Sequence, residues 1–305
     1  MNTSNVPLVS IVLITYNSAK YVLETLESVK AQTWQHIELI ISDDGSTDQT
    51  TTICSNWLSE NRHRFYKTQL ITVPRNTGIP ANCNRGLRAM SGQWLKTLSG
   101  DDILLENCLT DNLEYVRRFP DASFIVSDMQ EIDDNSVLIR NEVVNEGVIF
   151  IAGMPSVKKQ LKAFTRWPVF LNVPTFFCRK EVMEKIGYCD EDFKIYEDMT
   201  MVIRMMEQGF RMHYMQRPTV AYRIHHNSIS RSDKVNDRRE KEALRVFSKY
   251  RVKHLSAFNI LDLSVYYECW LRFKFKGING RKGDSILRKL SLFYWYMRLS
   301  GIKSY

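Results

Sequence analysis

The first hundred residues alternate short apolar runs with amphipathic stretches. Val9 to Thr15 is a nearly continuous β-branched and aliphatic run, too short for a helix, and reads as a buried strand. Residues 37–41, 70–73 and 94–98 read the same way. Between the strands, residues 19–32 carry Tyr21, Val22, Leu26 and Val29 at helical spacing. Ser46-Thr-Asp-Gln49 has the pattern of a capping box opening a helix over 50–59. Residues 79–90 read as a helix ended by Ser91-Gly92. This alternation predicts an α/β fold, a mostly parallel sheet with helices on both faces. In such sheets ligands bind at the carboxyl ends of the strands.

The second half is less regular. Residues 123–128 read as a fifth strand, and 197–208 as a helix stopped by Gly209. Residues 211–215 and 220–225 read as two short strands. A polar stretch, 228–237, reads as a linker, followed by helical stretches at 238–253, 260–276 and 284–299. The expected organisation is a body over 1–230 and a helical extension over 231–305. Neither GxGxxG in the first turn nor GxxxxGK[ST] anywhere is present, so no glycine-rich phosphate loop is expected.

Charge sharpens that division. The chain of 305 residues has a formal net charge of +8. Residues 231–305 hold 18 Lys or Arg and 7 Asp or Glu, so the body is mildly acidic and the extension strongly basic. The six cysteines show no CxxC and no zinc spacing, and read as free thiols in a reducing cytosol. No signal-peptide pattern opens the chain, and no apolar run is long enough to span a bilayer.

Four polar clusters could carry chemistry. Asp101-Asp102 follows a buried strand; two adjacent carboxylates repel each other, and a divalent cation would remove the conflict. A solvated loop or a helix cap over 103–109 is the alternative. Asp43-Asp44-Gly45-Ser46-Thr47-Asp48 could accept hydrogen bonds from a nucleobase or a ribose; capping accounts for Ser46 and Asp48, but not for both Asp43 and Asp44. Glu197-Asp198 opens a helix and could be plain dipole stabilisation or a base facing the strand ends. Tyr222-Arg-Ile-His225-His226 places imidazoles beside an arginine, suited to a metal–diphosphate centre or to a structural role. Trp167, Phe176 and Phe177 could stack on a sugar, but core packing is the simpler reading.

Pro7-Leu-Val-Ser-Ile, Tyr16-Asn17, the Asp43 to Asp48 run, Asn76-Thr-Gly78, Asn84-Arg-Gly86, Ser91-Gly92, Asp101-Asp102, Glu197-Asp198 and Tyr222-Arg-Ile-His225 occur in that order. The order resembles the family 2 glycosyltransferases of the GT-A fold, over residues ~6–230. The resemblance implies a nucleotide-binding half over about 1–100 and an acceptor half over 101–230. It places Tyr16 against the donor base, Asp43 and Asp44 on uracil or ribose, Asp101 at the donor, and Asp102 as the direct ligand of Mn²⁺ or Mg²⁺. The motif reads Gly-Asp-Asp rather than Asp-x-Asp, which leaves one strong carboxylate ligand. His225 falls near the metal or the donor diphosphate, and Asp198 at the catalytic base of inverting members. The implied reaction moves a hexose or N-acetylhexosamine from a nucleotide-sugar, UDP-linked, to a saccharide hydroxyl. The implied setting is surface-polysaccharide (O-antigen or capsule) assembly on a lipid-diphosphate carrier.

The extension mixes basic residues with aromatics, Trp270 to Lys276 and Arg288 to Arg298. That pattern suits an anionic membrane surface, with the protein peripheral on the cytoplasmic face of the inner membrane, or simple packing on the body. No nucleic-acid module is visible, and no nucleic-acid partner is expected. Two other classes share some of these features. A sugar-nucleotide nucleotidyltransferase would show a Gly- and Arg-rich N-terminal loop, which residues 8–16 lack; a non-catalytic relative would not keep acids at 44, 101, 102 and 198.

Overall fold

The computed structural model describes residues 6–166, 171–225 and 236–274, together with positions 295 and 299. The chain begins with β1 (Val9–Thr15), α1 (Val22–Lys30), β2 (Ile37–Asp43), α2 (Thr50–Asn61), β3 (Lys67–Thr72), α3 (Ile79–Ala89) and β4 (Trp94–Ser99). It continues with β5 (Ile103–Leu104), α4 (Cys108–Arg118), β6 (Phe124–Ile132), β7 (Leu138–Val143), α5 (Glu146–Ala152) and α6 (Val157–Arg166). After these come β8 (Phe177–Arg179), α7 (Lys180–Ile186), α8 (Glu197–Glu207), β9 (Met212–Arg223), α9 (Asn236–Val246) and α10 (Ile260–Lys274).

The strands form one sheet in the order β3-β2-β1-β4-β8-β6-β9-β5, with β7 paired to β6. β3, β2, β1 and β4 are mutually parallel, so Thr15, Asp43, Thr72 and Ser99 end at one edge. β8 runs antiparallel to both β4 and β6, and β9 is parallel to β6. β6 and β9 therefore point the same way as β4. The end of β9 arrives at the edge where Asp101 and Asp102 follow β4.

The continuous apolar runs have a simple cause. Val9, Ile11 and Leu13 pack on one face with α1, α2 and α4, while Val12 packs on the other with α3 and α5 to α8. With both faces covered, period-two alternation disappears from β1 and β2. Helix α3 lies very close to β1. A Cβ on Gly86 would fall 2.4 Å from Val12 Cγ1.

Several expectations are corrected. The residues around 211–225 form one strand, not two. Between Met215 and Pro218 the register against β6 jumps, and the exposed Gln216 and Arg217 bulge outward. Pro218 has no N–H for the ladder, which is why the pattern looks broken. Ser46 is not the cap of α2: its hydroxyl donates to Asp43 Oδ2, and Asp48 Oδ1 instead accepts from Thr50 N at 2.9 Å. Asp101-Asp102 caps no helix either, because β5 follows and α4 starts only at Cys108 with Asn107 at its cap position. α9 gives way after Val246 to π-helical turns and then 3₁₀ turns. Val246 and Tyr250 are buried in the core cluster of the body, so this part of the extension packs on it. Phe176 and Phe177 are core residues. Trp167, His226 and most of the 228–237 and 284–299 stretches lie outside the described residues.

Gly86→Ala is expected to cost about 1–3 kcal/mol through overpacking. Urea unfolding would measure it, and the double variant with Val12→Ala should cost less than the sum of the two single changes.

Candidate active site

The loops after β1 and β2 are laced together. Asn17, at φ +49°, accepts Thr47 N on its Oδ1 at 2.8 Å and donates its own N–H to Ser46 Oγ at 2.8 Å. Asp43, buried, accepts from Thr15 Oγ1 at 2.8 Å and from Ser46 N at 2.8 Å. Asp48 Oδ2 accepts from Ala19 N at 3.1 Å. On this frame Tyr16 stands 46% exposed at the sheet edge, free to offer a ring face.

Asp44 is held by the loop that follows β3. Oδ2 accepts from Thr77 N at 2.9 Å and Gly78 N at 2.8 Å; Oδ1 accepts from Thr77 Oγ1 at 2.6 Å and Arg85 Nη2 at 2.6 Å. Burial alone would oppose its ionisation, but these donors outweigh it and hold the carboxyl below its usual range. With four donors on its two oxygens, Asp44 ties down the loop between β3 and α3. Gly45, at φ +75°, is required beside it, since a Cβ would lie 2.7 Å from the Arg75 backbone.

The end of β4 and the end of β9 meet around Asp101 and Asp102. Asp102 is 1% exposed, and its Oδ1 accepts from Arg223 N at 3.0 Å. Asp101 Oδ2 lies 3.0 Å from His225 Nε2, and the His225 ring packs on Tyr21 at 5.2 Å between centroids. Burial first, and the charge of Asp101 second, push the Asp102 carboxyl well above its usual range. That conflict is the one a divalent cation relieves. Among the described residues no three His, Cys, Asp or Glu side chains form a cage for an ion. Asp101 and Asp102 would supply only one or two oxygens to a hard cation, which then takes its remaining ligands from diphosphate oxygens and water.

Arg223 was noted in the sequence only as a neighbour of the imidazoles. Its Nε donates to Asp101 O at 2.8 Å, Nη1 to Asp133 O at 3.1 Å and to Ser136 Oγ at 2.8 Å, and Nη2 pairs with Glu24 at 2.6 Å. The guanidinium sits 4.8 Å from the centroid of the Tyr21 ring. The available signal was an arginine inside an apolar strand, since a buried cation must find partners.

Glu197 and Asp198 open α8. Asp198 is half-buried, and its Oδ1 accepts from Met199 N at 2.6 Å. Burial pushes its carboxyl up to about 6. Glu197 is pushed well above its usual range by burial and then by the charge of Asp198, and its buried Oε2 has no hydrogen-bond partner among the described residues. No hydrogen bond or ion pair joins Asp198 to Asp101, Asp102 or His225 among the described residues. The segment ahead of α8 reaches the strand edge from the α3 side: Lys194 would touch a Cβ on Gly78 at 3.5 Å, and Asn84 Nδ2 donates to Cys189 O at 3.0 Å.

The sequence profile described as glycosyl transferase family 2 matches residues 10–197, more than half of the chain. An uncharacterised glycosyltransferase of Rickettsia typhi is 25% identical over 241 residues, covering 78% of this chain and 70% of that protein. Glycosyltransferase GlyG of Streptococcus pneumoniae is 28% identical over 128 residues, 42% of this chain and 41% of its own length, so the match spans less than half of that relative. Among solved structures, S. aureus TarS 1-349 in complex with UDP-GlcNAc superposes with a TM-score of 0.61 at 18% identity, covering 88% of this chain and 73% of that one. The mannosyltransferase PcManGT of Pyrobaculum calidifontis, in complex with GDP-Man and Mn²⁺, gives 0.60 at 15% identity, covering 96% and 82%. The chain therefore has the GT-A fold and belongs to glycosyl transferase family 2, as a glycosyltransferase.

Proposed function

We propose that this enzyme moves a hexose or N-acetylhexosamine from a UDP-sugar to a saccharide hydroxyl, with inversion at the anomeric carbon. The observation that carries the reading is a division of labour among acids. Asp43 and Asp44 are engaged in shaping loops, whereas buried Asp102 and half-buried Asp198 are carboxylates whose surroundings oppose ionisation. The ligands bound by the structural neighbours, UDP-GlcNAc in TarS and GDP-Man in PcManGT, support a nucleotide-sugar donor.

In this reading Tyr16 stacks on the base, and the wall built by Asp43, Asp44 and Thr77 receives the nucleoside. His225, held by Asp101, faces the diphosphate. A divalent cation, Mn²⁺ or Mg²⁺, when held by Asp102 with Asp101 and His225 beside it, supplies positive charge to the departing diphosphate. The acceptor hydroxyl is a poor nucleophile, so Asp198 takes its proton as the oxygen attacks C1. The bond from C1 to the diphosphate oxygen breaks on the opposite side, and the proton remains on Asp198. One base and one displacement suffice for inversion.

The acceptor is proposed to be lipid-diphosphate-linked and met at the cytoplasmic face of the inner membrane. No described helix is long and apolar enough to cross a membrane. On α10, Ile260, Leu263, Tyr267 and Trp270 are exposed; residues 260–270 hold no Lys or Arg, but the 231–305 extension in which they lie is strongly basic. Such a face suits an anionic surface.

Asp198→Asn should lower transfer by about 10²–10⁴-fold while calorimetry shows donor binding unchanged. Transfer within a few-fold of wild type would remove Asp198 as the base. The pH profile carries the same assignment. Below pH about 6 Asp198 is protonated and cannot accept the hydroxyl proton, so kcat should fall with acidity there and level off above it. Asp102→Ala should abolish the Mn²⁺-dependent part of donor binding, and equal binding with and without Mn²⁺ in the wild type would refute the metal role. Leu263→Glu with Tyr267→Glu should reduce co-sedimentation of the full-length protein with phosphatidylglycerol vesicles; undiminished sedimentation would exclude this face.

A further inference from the structure

The segment that leads into α8 is held from far along the chain. α8 has Tyr196 at its cap position with no side-chain cap, and Met199 stands where a capping box would place Glu or Gln. The two amides ahead of Glu197 are met instead by Glu242 of α9. Its Oε1 accepts from Ile195 N at 2.6 Å and from Tyr196 N at 3.0 Å. Glu242 is 5% exposed. The arrangement reproduces the reciprocal half of a capping box, with the carboxylate supplied by a residue 46 positions away.

The same segment is gripped by the next turns. Lys249 Nζ pairs with Asp190 Oδ2 at 2.8 Å, and the Tyr250 hydroxyl donates to that oxygen at 2.5 Å. Arg245 Nη1 donates to Asp192 O at 3.1 Å. Phe193, fully buried, carries the Arg245 guanidinium 4.9 Å from its ring centroid, with the Tyr250 ring at 5.6 Å. From the other side Asn84 clasps Cys189, accepting its N–H at 2.8 Å and donating to its carbonyl. Residues 189–196 are thus clamped between α3 and α9, and Asp198 is the second residue of the helix that follows.

We infer that Glu242 is a positioning residue for Asp198, acting through the Ile195 and Tyr196 amides. This rests on the reading of Asp198 as the base. The first amides of a helix have no intrahelical acceptor, and an uncapped start frays. A base displaced by about 1 Å can lose about 10²-fold in rate without loss of substrate affinity. α9 therefore belongs to the catalytic unit, although the family profile ends at residue 197.

The test uses the full-length protein and two readouts. Hydrogen–deuterium exchange should be about tenfold faster in peptides covering 193–199 of Glu242→Ala, with β1, β2 and β4 unchanged. Turnover is followed as hydrolysis of whichever UDP-, GDP- or dTDP-sugar the wild type cleaves with Mn²⁺. There kcat should fall about tenfold or more, while donor KM stays within about twofold. Glu242→Gln keeps an oxygen that can accept both amides, and should restore protection and bring kcat to within about threefold. If Glu242→Ala does not fold, Glu242→Asp, one methylene too short, carries the same expectation. Unchanged exchange overturns the inference, as does a kcat within twofold of wild type, or equal impairment in the Gln variant. Asp198→Asn is run alongside. A normal rate for it refutes the base itself, whereas a dead Asp198→Asn beside a normal Glu242→Ala refutes only the positioning.

Discussion

A guanidinium removed from water must be met by acceptors on every side, and Arg223 is 1% exposed. Its partners come from three segments: Glu24 in α1, the Asp101 carbonyl after β4, and Asp133 and Ser136 between β6 and β7, while its own amide fixes Asp102. Because the partners are distant in sequence, only the assembled sheet can satisfy them together. This side chain ties α1 and the loop after β4 to the connection between β6 and β7. The geometry of Asp101, Asp102 and His225 follows from it, since each lies within two residues of Arg223 or of an atom that it holds.

Around that anchor, identical chemical groups are given different properties by their surroundings. Asp44 is surrounded by donors and is held as a firm anion; Asp102 is buried beside another carboxylate and is reluctant to ionise. Asp198 lies between these extremes, with one amide donor and a value near the pH at which an enzyme operates. Adjacent acids in the sequence are therefore not equivalent acids in the site.

How much of this was legible in the chain depended on range. β1 and β2 were plain because burial on both faces leaves an unbroken apolar run. α1, α3 and α8 followed from spacing and stop signals, whereas α4 to α7 were not read, and the acids at 101, 102, 197 and 198 stood out by their places at element ends. Ser46 was misread because a local pattern cannot tell which neighbours its hydroxyl will meet: the Asn17 amide, not a helix amide, donates to its oxygen, and its proton goes to Asp43. β9 was split in two by Pro218 and the outward bulge before it. The Arg223 network and the Glu242 cap could not be read at all, because each joins residues separated by tens to hundreds of positions and leaves no periodic trace.

The cap on α8 also bears on how the protein is made. Chains emerge and begin to fold from the N-terminus, and contacts between distant positions form late. The sheet edge with Asp43, Asp44, Asp101 and Asp102 can assemble once β9 has been synthesised. The helix start that carries Asp198 must wait for residue 242. A nascent chain can thus possess a finished strand edge before it possesses a finished helix start at Asp198, and α9, arriving later, completes it.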